Sequence, residues 1–384
     1  MFFLKLVFLN AFRARLRAGL TVLGIVIAVV AFGLLQTVVN AWYATADAAS
    51  PTRLVTRNAI SLVFPLPQYY RERIRSLDGV RGVAVSNWFG GIYLDERNFF
   101  PQFAVQLADF MPMYPEFVFD PREYQDLLRD RSGVAVGREL ARQYGFKVGD
   151  RLPLRGTIYP GNWEFTIRAI YDGRDEGTVT RQAYFHWELV TERLKPRFPR
   201  LAERIGAFIV DVDSPDRTAE VSAAIDREFA NSLAETLTET EKAFQLSFVA
   251  MLESILLIIR GVAYVVIVII LAVAANTMAM TARERLSEYA TLKALGFGPP
   301  FIARLILAES LVVALIGGAL GLLLTPLVAR VVHGAVPQFS RFEVLPETYV
   351  QQAVAIAAVG VLAALVPMLR SARVRIVDGL RHIG

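Results

Sequence analysis

The chain contains no cysteine and only three histidines among its 384 residues. The missing cysteines exclude disulfides, thiolate metal sites and a cysteine nucleophile. The histidines are scattered along the chain, at His186, His333 and His382, so we predict no metal site. Any domain of this chain must therefore be held together by its apolar core alone.

Motifs for nucleotide binding and hydrolysis are also missing. The chain has no Gly-Lys dipeptide, which excludes the Walker A loop of P-loop ATPases. It also lacks a Gly-x-Ser-x-Gly elbow and a His-Glu-x-x-His helix. We therefore predict a non-catalytic chain, with no catalytic residue and no cofactor of its own.

Apolar residues are abundant: they form 54% of the chain, and the mean hydropathy is +0.41. A membrane-spanning helix needs roughly 20 predominantly apolar residues. Four stretches meet this requirement, at 20–40, 255–280, 302–331 and 349–369. The first exceeds the roughly 7–15 apolar residues of a signal peptide, so we predict an uncleaved anchor.

Basic residues flank these spans unevenly. They concentrate before the first span, between the second and third spans, and after the fourth span. These residues are Lys5, Arg13, Arg15, Arg17, Arg283, Arg285, Lys293, Arg370, Arg373, Arg375 and Arg381. Because such residues favour the cytoplasm, we predict that both termini and the 281–301 loop are cytoplasmic. The large segment between the first two spans is then periplasmic. These flanks largely explain the net charge of +5, so we predict no nucleic-acid partner.

The large segment mixes strand and helix patterns. Trp163, Phe165 and Ile167 alternate with polar residues, which is typical of a strand with one buried face. Similar short runs predict strands at 82–86, 103–108, 133–137, 151–155 and 207–212. Amphipathic patterns predict helices at 68–77 and after Pro215. The segment is therefore predicted to be an α+β domain.

A helical apolar pattern leads from this domain into the second span. Between 232 and 259, apolar residues recur mostly at three- and four-residue steps without Pro or Gly, and they include Leu237, Phe244, Phe248 and Met251. We predict a stalk helix that is continuous with the second span and able to transmit force as a rod. An ordinary juxtamembrane helix packed on the domain is the alternative.

One acidic residue, Glu309, lies about two turns into the third span. Ionisable groups in membrane spans are costly and are therefore functional candidates. Two interpretations remain open: an acid satisfied by a flanking arginine, or a group with a role in helix contact and coupling.

The loop between the second and third spans has a specific order of residues, TARERLSEYATLKALGFG at 281–298. It resembles the "ERxxEyAtLKALGf" turn of ABC-transporter permeases of the MacB/FtsX type. The segment at 133–154 is similar to the "vavgxxlAxxxGlkvGDxlxl" segment of the MacB-type periplasmic core. The ending at 367–381 resembles the family's "PaxrAaxvxpveaLR".

This resemblance implies that the loop docks on a cytoplasmic ABC ATPase subunit, which binds the ATP and Mg²⁺ that this chain does not. The implied ATPase-coupling residues are Arg283, Glu284, Arg285, Glu288, Leu292, Lys293, Leu295 and Gly296, with Glu309 as an intramembrane coupling residue. Among them, Leu292 and Leu295 are expected to fill an apolar slot of the ATPase. The resemblance also implies a second permease, either an identical copy or a sister chain. It leaves open whether a periplasmic adaptor (membrane fusion protein) and an outer-membrane channel are further partners.

The predicted fold is an α-helical membrane protein with four transmembrane helices plus an α+β extracytoplasmic domain. The resemblance implies that this domain has a porter-like subdomain with a small β-rich insert. The predicted parts are the N-terminus and first span at 1–41, the periplasmic domain at 42–231, the stalk and second span at 232–282, the coupling turn at 283–301, and the third and fourth spans with a basic tail at 302–384. The FtsX-like permease region is then 232–384.

The function implied is that of a multi-pass permease subunit in the bacterial inner membrane. It would couple ATP hydrolysis in its partner to movement of the periplasmic domain, and so drive efflux or extraction of a drug, peptide, lipid or lipoprotein. The alternative is a signalling subunit that activates a periplasmic cell-wall hydrolase without transport.

Overall fold

The computed structural model describes residues 2–47, 49–175, 177–335 and 342–372. The chain divides into two compact units. The helical unit comprises Met1–Ala41 and Leu252–Gly384, and the α/β unit comprises Trp42–Met251. The predicted basic tail beyond residue 372 lies outside the described residues.

The helices and strands of the described chain are numbered from its N-terminus. The helices are α1 (Phe2–Ala11), α2 (Arg15–Asp47), α3 (Tyr70–Arg75), α4 (Leu107–Phe110), α5 (Pro121–Arg129), α6 (Arg138–Tyr144), α7 (Trp187–Leu194), α8 (Pro199–Ala202), α9 (Thr218–Glu228), α10 (Glu241–Met251), α11 (Glu253–Glu284), α12 (Leu286–Ala294), α13 (Pro299–Ala335) and α14 (Pro346–Ala372). The strands are β1 (Arg53–Asn58), β2 (Leu66–Pro67), β3 (Val80–Trp88), β4 (Gln102–Val105), β5 (Phe117–Val118), β6 (Gly133–Gly137), β7 (Arg151–Gly156), β8 (Gly161–Gly173), β9 (Ala183–His186), β10 (Arg204–Ile205), β11 (Ala207–Val212) and β12 (Thr236–Thr240).

Within the described residues, four helices are long and apolar enough to cross a membrane. They are the segments Arg15–Tyr43, Glu253–Glu284, Pro299–Val332 and Pro346–Ser371, which belong to α2, α11, α13 and α14. Each contains one of the spans predicted from the sequence.

Glycines allow α13 to approach α2 closely. A Cβ atom built on Gly317 would lie 2.9 Å from Cβ of Ile25, and one built on Gly321 would lie 2.7 Å from Cβ of Val29. Both separations are too short for real carbon atoms, so only glycine fits this contact. Small residues at helix contacts play the same role in other membrane bundles.

The α/β unit is built on a large mixed sheet, and β2 and β10 form a separate two-stranded sheet. In its described part, the strand order is β12-β1-β11-β3-β4-β9-β6-β8-β5, and β7 pairs with β8. The pairs β4–β9 and β6–β8 are parallel, whereas β1 is antiparallel to both β11 and β12. Trp163, Phe165 and Ile167 are fully or almost fully buried on β8, as their alternation predicts. The predicted fold class, four spanning helices plus an α+β domain, is confirmed.

Most predicted strands have an observed counterpart. The runs at 82–86, 133–137, 151–155 and 207–212 lie within β3, β6, β7 and β11. The run at 103–108 is wrong in its second half, because β4 ends at Val105 and α4 begins at Leu107. The N–H of Gln106 still donates to the carbonyl of Val85, but the carbonyl of Gln106 accepts from the N–H of Phe110 at 2.8 Å, which starts the helical turn.

The predicted stalk helix is corrected at two places. Residues 236–240 form β12, whose pairing with β1 satisfies the backbone, so Leu237 belongs to a strand. The helix begins only at Glu241, at the start of α10. Leu252, with φ −96° and ψ 1°, then separates α10 from α11. The segment is therefore two consecutive helices rather than one unbroken rod from residue 232.

Candidate functional site

The short helix α12, which carries most of the predicted coupling residues, has a defined beginning and end. Arg285 precedes it with a non-helical backbone, at φ −107° and ψ 17°. At its other end, the N–H groups of Gly296 and Phe297 donate to the carbonyls of Lys293 and Leu292, each at 3.0 Å. This is a Schellman motif, and it requires the positive φ of +95° that Gly296 adopts.

The two leucines of α12 and its end differ in exposure. Leu295 is 71% exposed, and Phe297 beside it is 42% exposed. Leu292 is only partly exposed, because it packs on an apolar cluster of the helical unit that includes Tyr289 and Ile302. The structure therefore leaves Leu295 free to contact another protein, whereas Leu292 contributes to this chain's own packing.

Arg285 and Glu309 form a buried ion pair. Nη1 of Arg285 lies 2.8 Å from each carboxylate oxygen of Glu309, and the two side chains are 8% and 5% exposed. Nε of Arg285 donates to Glu288 at 2.8 Å, and the guanidinium lies 5.3 Å from the ring centre of Tyr289. The guanidinium of Arg285 is therefore held by contacts within the helical unit, and its predicted docking role stays a prediction.

Two arginines from the start of the chain join this network. Arg17 forms a bidentate pair with Glu284, with both N–O distances at 2.8 Å, and Arg13 pairs with Glu288. From the sequence, these arginines were assigned only to membrane topology. Their basic character was visible, but no short-range pattern indicates partners more than 260 residues away.

The network sets the charge state of α12. Burial alone would raise the pKa of Glu288, but hydrogen bonds from Arg285 and Arg13 hold that pKa below its usual range. Burial would likewise lower the pKa of Arg285, but the charge of Glu309 outweighs this effect and raises it. Glu288 is therefore a carboxylate and Arg285 a guanidinium at neutral pH.

The remaining predicted coupling residues lie around the Arg285–Glu309 ion pair. Arg283 is exposed, and the side chain of Glu284 is half exposed and bound to Arg17. Nζ of Lys293 donates to the carbonyl of Ser371 at 3.3 Å, which connects α12 to the end of α14. Together with Arg285 before it, the helix thus contacts the residues before α2, α13 and the end of α14 through polar side chains, while one apolar corner stays exposed.

A polar cleft of about 330 Å³ lies beside the network. Its walls come from the α1–α2 junction, the end of α11 and α13, and they include Asn10, Arg17, Thr21, Thr281, Glu284 and Glu309. At this end of the bundle, the ion pair between Arg17 and Glu284 connects α2 to α11.

In the α/β unit, a second buried ionic cluster holds the first residue of α10. Nε of Arg53 donates to Glu241 at 2.7 Å, and its Nη2 donates to Glu116 at 2.5 Å. The hydroxyl of Tyr114 donates to Glu241 at 3.2 Å, and the same ring lies 4.1 Å below the guanidinium. Sequence reasoning missed this cluster, because its members are far apart along the chain.

The predicted stalk residues on α10 are only partly packed. The ring of Phe244 rests against the core of the α/β unit and meets Phe248 edge to face, with ring centres 5.0 Å apart. Met251 is 81% exposed. The base of α10 is therefore fixed mainly by Glu241 and Phe244.

Comparison with known proteins identifies both parts of the chain. The family model for the FtsX-like permease C-terminal region matches residues 260–374. The model for the MacB-like periplasmic core domain matches residues 18–228, more than half of the chain.

Among curated proteins, an uncharacterized ABC transporter permease of Methanocaldococcus jannaschii is 23% identical over 343 residues, which cover 85% of this chain and 83% of that protein. An uncharacterized ABC transporter permease protein of Mycobacterium tuberculosis is 25% identical over 205 residues; these cover half of this chain and 21% of that longer protein.

Solved structures of extracytoplasmic domains are also similar to this chain. The periplasmic region of MacB from Actinobacillus actinomycetemcomitans has a TM-score of 0.37 at 8% identity, covering 51% of this chain and 92% of that one. The extracellular domain of the transporter YknZ from Gram-positive bacteria has a TM-score of 0.36 at 11% identity, covering 49% of this chain and all of that one.

Proposed function

Since the chain belongs to the ABC transporter permeases of the MacB/FtsX type, as its sequence motifs predicted, we propose that it works with a separate cytoplasmic ATPase. ATP hydrolysis by that subunit moves the extracytoplasmic domain of this chain. The movement drives efflux or extraction of an envelope substrate. The permease itself carries no catalytic residue.

The exposed corner of α12 is the observation that carries this proposal. Leu295 offers a large apolar side chain to solvent at the end of a rigid, glycine-capped helix. Buried apolar anchors dominate interface energies, and rim charges mainly steer association. Leu295 is therefore the anchor in our proposal, with Arg283 and Lys293 as charged neighbours.

Internal contacts of α12 support a transmitting role. A push on this helix acts on Arg285, and Arg285 is bonded to Glu309 of α13. The same push acts on Glu288, which is bonded to Arg13 before α2. Through these two ion pairs, a movement of α12 reaches α13 and the residues before α2 at the same time. The coupling role of Glu309 is therefore part of the proposal.

The route to the extracytoplasmic domain follows the chain. From Arg285, α11 leads back through the membrane to Leu252, and α10 follows beyond it. At Glu241, α10 is bonded to Arg53 of the central sheet. We assign the stalk function to α10 with α11, in place of one continuous helix from residue 232.

Orientation and assembly complete the proposal. From the basic residues at the α12 end of the bundle we propose that this end, and both termini, lie in the cytoplasm of a bacterial cell with the α/β unit in the periplasm. A second permease completes the transporter, and α11 is the span with the smallest buried share, 17% against 33% to 44% for the others. It therefore has the most surface left for lipid or another chain.

An adaptor and an outer-membrane channel are optional partners, and activation of a cell-wall hydrolase is the alternative output.

Copurification tests the proposed docking site. The full-length chain is coexpressed with its cognate ATPase, and the yield of complex is measured for Leu295→Asp and Lys293→Ala. The control is Leu94→Asp, which changes a leucine of similar exposure, 75%, in the α/β unit. We expect Leu295→Asp to abolish the complex, Lys293→Ala to weaken it modestly, and the control to leave it unchanged. A wild-type yield with Leu295→Asp would place the docking site elsewhere.

A further inference from the structure

Two loops of the α/β unit meet at one end of its sheet. β1 and β12 are antiparallel, so the loop after Asn58 lies beside the loop before Thr236. The backbone N–H of Ala59 donates to the carbonyl of Glu235 at 2.8 Å and joins the loops. This end is opposite to Arg53 and Thr240, where the chain enters β1 and leaves β12.

The loops present apolar side chains on an ordered turn. The N–H of Phe64 donates to the carbonyl of Ser61 at 3.1 Å, and the N–H of Val63 to the Ser61 hydroxyl at 3.3 Å. Five side chains form what we call the apolar tip, with exposed fractions from 40% to 107%: Ile60, Leu62, Val63, Phe64 and Leu233. Exposed apolar clusters of this kind mark interaction sites.

Basic residues border this tip. β10 pairs with β2, and this pairing places Arg204 opposite Pro67, three residues after Phe64. Four exposed basic residues lie in the segment 195–204, which ends in β10. We call them the basic rim: Lys195, Arg197, Arg200 and Arg204. Glu203 is the one acidic residue between 195 and 204.

The rim is not neutralised within the described part of the chain. Nearby arginines are paired, Arg71 with Asp109 and Arg73 with Glu228. By contrast, none of the four rim residues has a carboxylate within ion-pair distance among the described residues. Their side chains are exposed, and Arg204 lies on the strand that pairs with β2, just after the apolar tip.

We propose that the apolar tip and basic rim form a docking surface for an anionic lipid membrane. The tip projects outward on a tight turn, so its side chains fit insertion between lipid headgroups rather than enclosure of a small molecule. Apolar insertion beside clustered Lys and Arg is the combination that binds anionic membranes. This proposal stands on the α/β unit alone and does not depend on ATP-driven transport.

Vesicle binding tests the surface in the full-length protein. The chain is reconstituted in phosphatidylcholine nanodiscs and mixed with separate vesicles of phosphatidylcholine, with or without phosphatidylglycerol. We expect co-flotation only with the vesicles that contain phosphatidylglycerol.

Each basic residue near such a surface strengthens binding about fivefold. Arg200→Glu with Arg204→Glu, and separately Val63→Asp with Phe64→Asp, should weaken binding at least about tenfold. Equal binding to both vesicle types, or no loss in either variant, would overturn the proposal.

A matched control and a second readout make the test specific. Arg122→Glu with Arg129→Glu reverses two exposed charges on α5 and should leave binding unchanged. The chain has no cysteine, so Phe64→Cys can carry a single polarity-sensitive fluorophore. Its emission should shift to the blue with anionic vesicles, whereas a label on Val118→Cys, at the opposite edge of the sheet, should not respond. An unchanged spectrum at residue 64 would exclude insertion of the tip, even if other parts of the chain bind the vesicles.

Discussion

One nitrogen of Arg285 lies 2.8 Å from both carboxylate oxygens of Glu309, which joins the start of α12 to α13 inside the helical unit. Removal of one partner from a buried pair leaves an unpaired charge, at a cost of roughly 3–5 kcal/mol. The pair therefore makes the position of α12 depend on that of α13.

The Glu309→Gln variant should lower the stability of the protein in detergent or nanodiscs by at most roughly 3–5 kcal/mol, because the buried Arg285 charge loses one of its two carboxylate partners and keeps Glu288. The double variant Arg285→Met with Glu309→Leu should recover most of this loss, since no charge stays buried. Thermal unfolding of Arg285→Met, Glu309→Leu and the double variant measures the coupling. Additive effects of the two single changes would contradict a direct pair.

Acid should weaken the contacts of α12 through Glu288. The pKa of this carboxylate is lowered in the folded protein by Arg285 and Arg13, so its contribution to stability is complete above its unfolded pKa of about 4.3. That contribution is lost as the pH falls through the lowered folded pKa. Thermal stability between neutral pH and pH about 3 should therefore fall less steeply in Glu288→Gln than in the wild type. Identical slopes would show that Glu288 does not contribute.

In the helical unit, Gly33 is predicted to tolerate no side chain. A Cβ atom at this position would lie 2.2 Å from Nε2 of Gln352, whose amide donates to the carbonyl of Val29 and to Thr325 at 2.8 and 2.9 Å. Gly33→Ala should therefore reduce thermal stability, and Gln352→Ala in the same chain should relieve only part of the overlap, because Cγ2 of Thr325 lies 2.7 Å from the same Cβ position. Gly19→Ala is the control, because nothing lies within 4 Å of its Cβ. Equal effects of the two glycine substitutions would contradict this packing.

The cluster at the base of α10 predicts that substitution of Arg53 strongly lowers the stability of the α/β unit. Its guanidinium bonds Glu241, Glu116 and the carbonyl of Met113. We expect Arg53→Met to destabilise the α/β unit by roughly 3–5 kcal/mol, because two carboxylates lose their shared partner. Arg53→Lys should keep only part of the stability that Arg53→Met loses, since an ammonium group lacks the forked donors of a guanidinium. Denaturant unfolding measures both variants.

The control for Arg53 is an exposed ion pair of the same unit. Arg151 and Glu164 are 79% and 56% exposed, and such surface pairs contribute about 0–1 kcal/mol. Arg151→Ala should therefore have little effect. A small effect of Arg53→Met would mean that the buried cluster does not fix α10.

Features with local causes were predictable from the sequence. The spans follow from length and hydropathy, and strand β8 follows from the alternation of Trp163, Phe165 and Ile167. The turn after α12 follows from Gly296, whose positive φ ends the helix.

Features that depend on distant partners were not predictable. Leu237 satisfies a helical spacing, yet β12 forms because β1 offers an unpaired edge to residues 236–240. Arg285 has the sequence context of a surface residue, but it is buried against Glu309, 24 positions later. An acid satisfied by a flanking arginine was one of the two interpretations of Glu309, but the sequence did not indicate which arginine. Arg53 and Glu241 meet across 188 positions, a contact that no local pattern encodes.

The central claim is that ATP hydrolysis at the α12 end moves the extracytoplasmic domain through α10 and α11. Spin labels at Val118→Cys, in a complex of the full-length permease with its ATPase, report distances between the two copies of that domain. Phe248→Pro breaks α10, because proline removes a helix hydrogen bond at a cost of about 3 kcal/mol or more. Phe248→Ala loses the same ring but keeps the helix.

We predict that ATP changes the label distances in the wild type and in Phe248→Ala. In Phe248→Pro, the ATPase should still bind and hydrolyse ATP while the distances stay constant. An ATP-dependent change of wild-type size in Phe248→Pro would contradict the account.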